Sequence, residues 1–125
     1  VRVLLDTSVL ISDSGPGEHE AAVSVVSLAE LHFGVGVASD PDERLRRIQR
    51  LGAVESTFDA LPVTSAVARE WGKLAAAVVE RGGKPRRRAM DLVIAATANV
   101  HHAVLFTENV VDFEIIADLV DARRP

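Results

Sequence analysis

The sequence predicts an α/β protein, a three-layer α/β/α sandwich with a mainly parallel central sheet. Three observations carry this. Short apolar runs alternate with helical stretches along the chain. The runs Val1 to Leu5 and Val104 to Phe106 offer apolar side chains to both faces, as strands covered by helices on either side must. The stretch Ala89 to Val100 has helical character and carries the small residues Ala95, Ala96 and Ala98, which let a helix lie close to a sheet.

Taken in order, Val1 to Leu5 reads as a buried strand and Val9 to Ile11 begins a short helix. "SDSGPGEHE" is a loop, because Gly15, Pro16 and Gly17 interrupt regular structure. Ala22 to Val26 reads as a second strand. A helix then starts at Ser27, with Leu28, Leu31 and Val35 at helical spacing. Pro41 opens another helix through about Leu51, with Leu45, Ile48 and Leu51 on one stripe. "FDALPV" holds a short third strand. Thr64 caps a long helix whose Val67, Trp71, Leu74 and Val78 form one face, and Gly82 and Gly83 end it. "KPRRR" reads as an exposed loop before the helix at Ala89. After the Val104 strand, "TENVVDF" is a loop or short helix, and Leu119 to Val120 is a last edge strand. Trp71 and Phe58 belong to the core by this reading, Trp71 alternatively to a dimer interface, and Phe33 also to the core.

The 125 residues suit one domain, residues 1–125, and with 48% hydrophobic residues a core forms without disulfides or structural metal. There is no cysteine. Thiolate zinc sites, thiol nucleophiles and redox pairs are therefore excluded, and the composition is compatible with a reducing cytoplasm, the expected location. No apolar run approaches the ~20 residues of a membrane span, and "VRVLL" lacks the pattern of a signal peptide. The net charge of -4 argues against nonspecific coating of nucleic acid, but the bases are clustered: Arg44, Arg46, Arg47 and Arg50 in one stretch, Arg86, Arg87 and Arg88 in another.

In parallel sheets, ligands bind beyond the carboxyl ends of the strands. Asp6 follows the first strand directly. Glu30 lies in the first turn of the helix after the second strand, Asp91 in the first turn of the helix before the Val104 strand, and Asp112 shortly after that strand. These acids can converge at one rim. Each also has a purely structural explanation. Ser27 and Glu30 fit the capping box S-x-x-E, the helix dipole favours Asp91 in a first turn, and Asp112 can cap a short helix. Asp6 is the hardest to explain so, since a carboxylate beside a buried strand loses hydration unless paired. Carboxylates brought together stay ionised only with a cation to offset them, and oxygen ligands without histidine or cysteine suit Mg²⁺ or Mn²⁺. Thr7, Ser8 and Thr107 are short hydroxyl residues at the same rim, able to orient the acids. Arg86, Arg87 and Arg88 stand close before Asp91 as a phosphate clamp or as a solvated loop. The arginines from Arg44 to Arg50 follow Asp40, Asp42 and Glu43 on one helix, a pattern that complements the helix dipole. His101 and His102 stand at a helix end without metal-pair spacing, and His19 and His32 are isolated.

The segments "LLDTSVLI", "SVVSLAELHFG", "AMDLVIAATA" and "VLFTENVVDFE" resemble the successive motifs of PIN-domain ribonucleases, most closely the VapC toxins of bacterial toxin–antitoxin pairs. The resemblance runs from Val3 to about Ile115. It implies a Mg²⁺- or Mn²⁺-dependent endoribonuclease with Asp6, Glu30 and Asp91 as successive acids, Asp6 and Asp91 holding the metal. The fourth position departs from the family pattern. Many relatives carry an acid where this chain has Asn109, so Asp112 becomes the nearest carboxylate with Asn109 as a neutral partner, and a role for Glu108 stays open. The stretch between Ile11 and Ala22 is short where relatives often carry another helix. The resemblance also implies a homodimer silenced by a cognate VapB antitoxin.

Other classes fit less well. An aspartyl-phosphate phosphatase of haloacid-dehalogenase type needs a second aspartate two residues after the first, where this chain has Ser8, and a receiver domain needs a lysine later than Lys84. A catalytically degenerate PIN domain acting as a protein-binding module is the alternative.

Overall fold

The computed structural model describes residues 2–12 and 14–125. Its centre is a five-stranded sheet in the order β3-β2-β1-β4-β5. The strands are β1 (Arg2–Leu5), β2 (Glu20–Ser24), β3 (Ala60–Leu61), β4 (Val104–Phe106) and β5 (Ala122–Arg123), and every neighbouring pair is parallel. Parallel strands need crossover connections, and these are helical: α1 (Thr7–Ser12), α2 (Val25–Gly36), α3 (Pro41–Thr57), α4 (Ser65–Glu80) and α5 (Ala89–Val100), with 3-10 segments at Pro85–Arg88 and Val110–Ile116.

Side chains alternate across the sheet and so build two cores. Leu4 and Leu105 face one layer with Leu74, Val78, Ile94, Ala95, Phe113 and Ile116. Val3, Leu5, Val104 and Phe106 face the other with Val9, Leu10, Leu31, Leu51 and Val54. The α/β/α sandwich is thus present, with α4 and α5 on one face and α1 and the buried end of α3 on the other, while α2 gives Val26 to the first core and Leu31 to the second.

Several boundaries differ from the sequence reading. Val1, placed in the first strand, lies outside the described residues, as does Asp13 of the loop. The second strand ends at Ser24, whose hydroxyl caps α2 by accepting from the Val26 N–H at 3.0 Å. Ser27 is therefore inside the helix and Glu30 is past its first turn, so the capping box is not formed. The α3 helix continues to Thr57, and its buried residues are Leu51 and Val54, whereas Leu45 and Ile48 are exposed. Phe33, expected in the core, is 70% exposed on α2. The "KPRRR" loop is a 3-10 turn. The last strand is Ala122–Arg123 rather than Leu119 to Val120, because Leu119 and Val120 turn back to hydrogen-bond Ile116 O. Other features stand as read: Thr64 caps α4 through the Val67 N–H at 3.2 Å, and Gly82, at φ +85°, reverses the chain after it.

Candidate active site

The chain moves from β1 through β2 to β3 in one direction and then returns to place β4 on the other side of β1. The carboxyl ends of β1 and β4 therefore flank the point where the winding reverses, the place where open α/β sheets form a crevice. Asp6 follows β1 and Thr107 follows β4, so topology alone brings these two residues to that crevice.

Asp6 is buried, and its backbone N–H donates to Phe106 O at 3.0 Å, which ties it to the β4 side. Its Oδ1 accepts from the Ser8 hydroxyl and, at 3.2 Å, from the Val9 N–H. Asp6 is thus the cap of α1 as well as a rim acid. No buried side-chain polar atom among the described residues lacks a partner, so its other oxygen reaches solvent. Ser8 is fixed in turn: it accepts the Glu108 N–H at 3.0 Å and lies 3.5 Å from Thr107 Oγ1. Thr107 is fully buried and accepts the Asn109 N–H at 3.0 Å.

Glu30 reaches the rim from α2. Thr7 Oγ1 donates to Glu30 Oε1 at 2.7 Å and lies 2.9 Å from the hydroxyl of Ser27. Ser27, read from the sequence as a cap, is a fully buried support for this link. Asp91 stands in the first turn of α5 without capping it, and Asp112 lies in the Val110–Ile116 segment, where it also makes no cap. A single arginine joins them: Arg88 Nη1 is 2.6 Å from Asp112 Oδ2 and 3.6 Å from Asp91 Oδ2.

Electrostatics place all four acids in one field. Burial pushes the Asp91 carboxyl above its ordinary value, and the negative charges of Glu30, Asp6 and Asp112 push it further, against a pull downward from Arg88. Among the described residues, no three metal-ligand side chains have closed on one point. Thr7 and Arg88 hold Glu30 and Asp112 instead. The donor chemistry nonetheless suits a hard cation: every candidate ligand is a carboxylate oxygen, and the crowding felt by Asp91 is what a divalent ion relieves.

The remaining candidates divide. Asn109 is exposed beside the rim and contributes only backbone: its N–H donates to Thr107 Oγ1 and its carbonyl accepts the Asp112 N–H, each at 3.0 Å. Glu108 turns to Ser14, at 2.8 Å, and to Arg124, at 3.8 Å. Arg86 and Arg87 are exposed and make no side-chain hydrogen bond or ion pair with described residues, whereas Arg88 turns inward. Arg87, Arg88, Lys84, Asp91 and Asp112 line a cleft of about 250 Å³. Arg46 and Arg47 both pair with Glu43, and Arg44 reaches backbone carbonyls, so these three serve α3 and its junction with α2. The turn of Arg88 towards the acids, the supporting role of Ser27, the pairing of Thr7 with Glu30 in particular and the cap that Asp6 makes on α1 are site features that the sequence reading did not contain.

A parallel sheet with acids at its switch point defines a class, and comparison with known proteins identifies it: the PIN-domain profile matches residues 3–119, and the chain belongs to that family. Ribonuclease VapC5 of Mycobacterium tuberculosis (strain ATCC 25618 / H37Rv) is 41% identical over 102 residues, covering 76% of this chain and 73% of that protein. Ribonuclease VapC4 of the same organism is 35% identical over 116 residues, 86% of each. The crystal structure of VapBC-5, a member of the VapBC family of toxin–antitoxin systems from M. tuberculosis, superposes with a TM-score of 0.85 at 32% identity, over 98% of this chain and 96% of that one.

The Thr7 link makes a direct prediction. Thr7→Val removes the donor that orients Glu30 without changing side-chain shape. RNA cleavage is expected to fall about 10- to 100-fold, the scale on which hydrogen bonds that orient site carboxylates act. Steady-state cleavage of a labelled RNA measures it, and an unchanged rate would show that Glu30 needs no orientation.

Proposed function

We propose that this chain is a metal-dependent endoribonuclease, the toxin of a VapBC-type pair, with residues 1–125 acting as one PIN unit. The observation that carries the reading is the placement of acids at the sheet's switch point: Asp6 at the end of β1, Glu30 tied to Thr7 beside it, and Asp91 and Asp112 bridged by Arg88. The names of the relatives supply the activity class.

Asp6 and Asp91 would hold Mg²⁺ or Mn²⁺, with Glu30 and Asp112 completing the acid set. A divalent ion so held supplies an activated water and offsets charge building on a phosphodiester. The chain's own groups do the rest. Ser8 and the Val9 N–H fix Asp6, Thr7 orients Glu30, and Thr107 anchors the chain leaving β4 through Asn109. Asn109, exposed beside the acids, is available to donate to a phosphate or ribose oxygen.

Arg86 and Arg87 bind the RNA backbone in this reading, being exposed and unengaged by described residues. Their joint replacement by alanine is expected to weaken RNA binding and reduce the slope of log affinity against log salt by about 2, one per lost phosphate contact. A salt slope equal to wild type would assign the pair to solvent.

The relatives' structures of toxin–antitoxin complexes support a VapB-type antitoxin as partner. Exposed Phe33 on α2, Val37 just after it, and Leu45 and Ile48 on α3 supply apolar surface for protein contacts, including a homodimer. No helix among the described residues is long and apolar enough to cross a membrane, and a cytoplasmic site of action accords with an RNA substrate. The reading is tested by mapping RNA 5′ ends after induction of the wild type and of Asp6→Asn. New ends specific to the wild type are expected. Identical maps would remove the ribonuclease assignment.

A further inference from the structure

The acids at the rim already have one cation, and the chain itself provides it. We propose that Arg88 is a built-in competitor for the divalent-ion site, pairing with Asp112 and Asp91 so that metal binding must displace it. This deepens the metal-site reading above and rests on it.

The geometry is specific to Arg88. One guanidinium nitrogen lies 2.6 Å from Asp112 and 3.6 Å from Asp91, bridging acids that come from separate segments of the chain. Its neighbours Arg86 and Arg87 make no such contact among the described residues. The turn that carries it is firmly seated. A methyl group at Gly83 would come within 2.7 Å of Val78 Cγ1 and 2.8 Å of Ile115 Cδ1, so only glycine allows the chain to pack so closely there. On the other side, Trp71 Nε1 donates to Ala89 O at 3.2 Å and pins the start of α5. The base of Arg88 is thus fixed, while its side chain is 48% exposed. An ion pair this open to water is weak enough for a divalent ion to displace.

Two roles for such a bridge differ in sign. A brace that merely holds Asp112 in place would weaken metal binding when lost, because the carboxylate would wander. A competitor would strengthen it when lost, because a positive charge leaves the site and both acids become available. The second follows from Coulomb's law, since Arg88 points its charge at the oxygens the ion needs. It also accounts for the absence, among the described residues, of three acids already closed on a point: Arg88 engages two of the four.

The test is Mn²⁺ binding to the full chain, followed by the loss of the free-ion electron paramagnetic resonance signal. Arg88→Gln is expected to bind Mn²⁺ about tenfold more tightly than wild type at low ionic strength, the advantage shrinking as salt screens the guanidinium. Arg88→Lys keeps the charge and is expected to stay within about threefold of wild type. Circular dichroism melting of each variant establishes that it is folded. Equal or weaker binding by folded Arg88→Gln, with wild type binding normally, would overturn the competitor role and leave the metal site standing. No Mn²⁺ binding by either protein would overturn both.

Discussion

Asp6→Asn is expected to leave the protein folded and to reduce RNA cleavage by on the order of 10³-fold, the scale seen when a single group stabilising the transition state is removed. The substitution separates the two jobs of this residue. As the cap of α1, Asp6 uses only Oδ1, accepting from Ser8 and the Val9 N–H. An asparagine oxygen accepts the same two bonds, so the cap survives. Alanine would not preserve it and would cost about 0.5–2 kcal/mol from the lost cap alone. As a metal ligand, Asp6 offers charge and its second, solvent-reaching oxygen. Asparagine puts an uncharged NH₂ group there. Cleavage assays beside thermal melts distinguish the outcomes. Normal melting with lost cleavage supports the catalytic role. Full cleavage would mean that the buried carboxylate serves only to start a helix and that cleavage does not depend on it.

The sequence carried the features that depend on near neighbours and on burial. β1 and β4 were readable because strands covered on both faces must be apolar on both, and α5 because its alanines pack where little else fits. The positions of Asp6 and Asp91 followed, since each is set by the end of such an element. Boundaries failed where two residues offered the same local chemistry. Ser24 and Ser27 are both good caps, and what selects Ser24 is pairing of β2 with β3 through Val23 and Ser24, a contact about 37 residues away that no local pattern encodes. The Leu45–Ile48 stripe on α3 has helical spacing, yet it is the Leu51–Val54 end that the core takes up. Val120 reads as part of an edge strand in sequence, but it is buried in the turn that precedes the strand. The site links were beyond local reading for the same reason. Thr7 and Glu30 are 23 positions apart, and Arg88 meets Asp112 only because a 3-10 turn aims it across the rim. A run of three arginines looks uniform in sequence; backbone direction makes one of them a partner of the acids and leaves two facing water.

Chelation gives the second large effect. Treatment with EDTA is expected to lower cleavage by on the order of 10³-fold, and Mg²⁺ or Mn²⁺ in excess to restore it. The same acids predict a change in stability that needs no RNA. Burial and the neighbouring acids Glu30, Asp6 and Asp112 raise the Asp91 carboxyl in the metal-free fold, with Arg88 opposing the rise, so ionising this group there costs stability. Its contribution to stability is therefore fully present below the unfolded-state value and is lost as pH rises through the raised folded-state value. At neutral pH the metal-free protein carries that loss, and a bound divalent ion offsets it. With Mn²⁺ at 100 times its dissociation constant the fold gains about 2.7 kcal/mol by mass action, enough to raise the melting temperature by several degrees. As pH falls toward the ordinary carboxylate range, protons compete for the same oxygens and the shift should shrink. Differential scanning calorimetry with and without Mn²⁺ at several pH values measures this directly. A melting temperature indifferent to Mn²⁺ at neutral pH, in protein whose cleavage also survives EDTA, would mean that these carboxylates gather at the sheet's crevice for some purpose other than holding a metal.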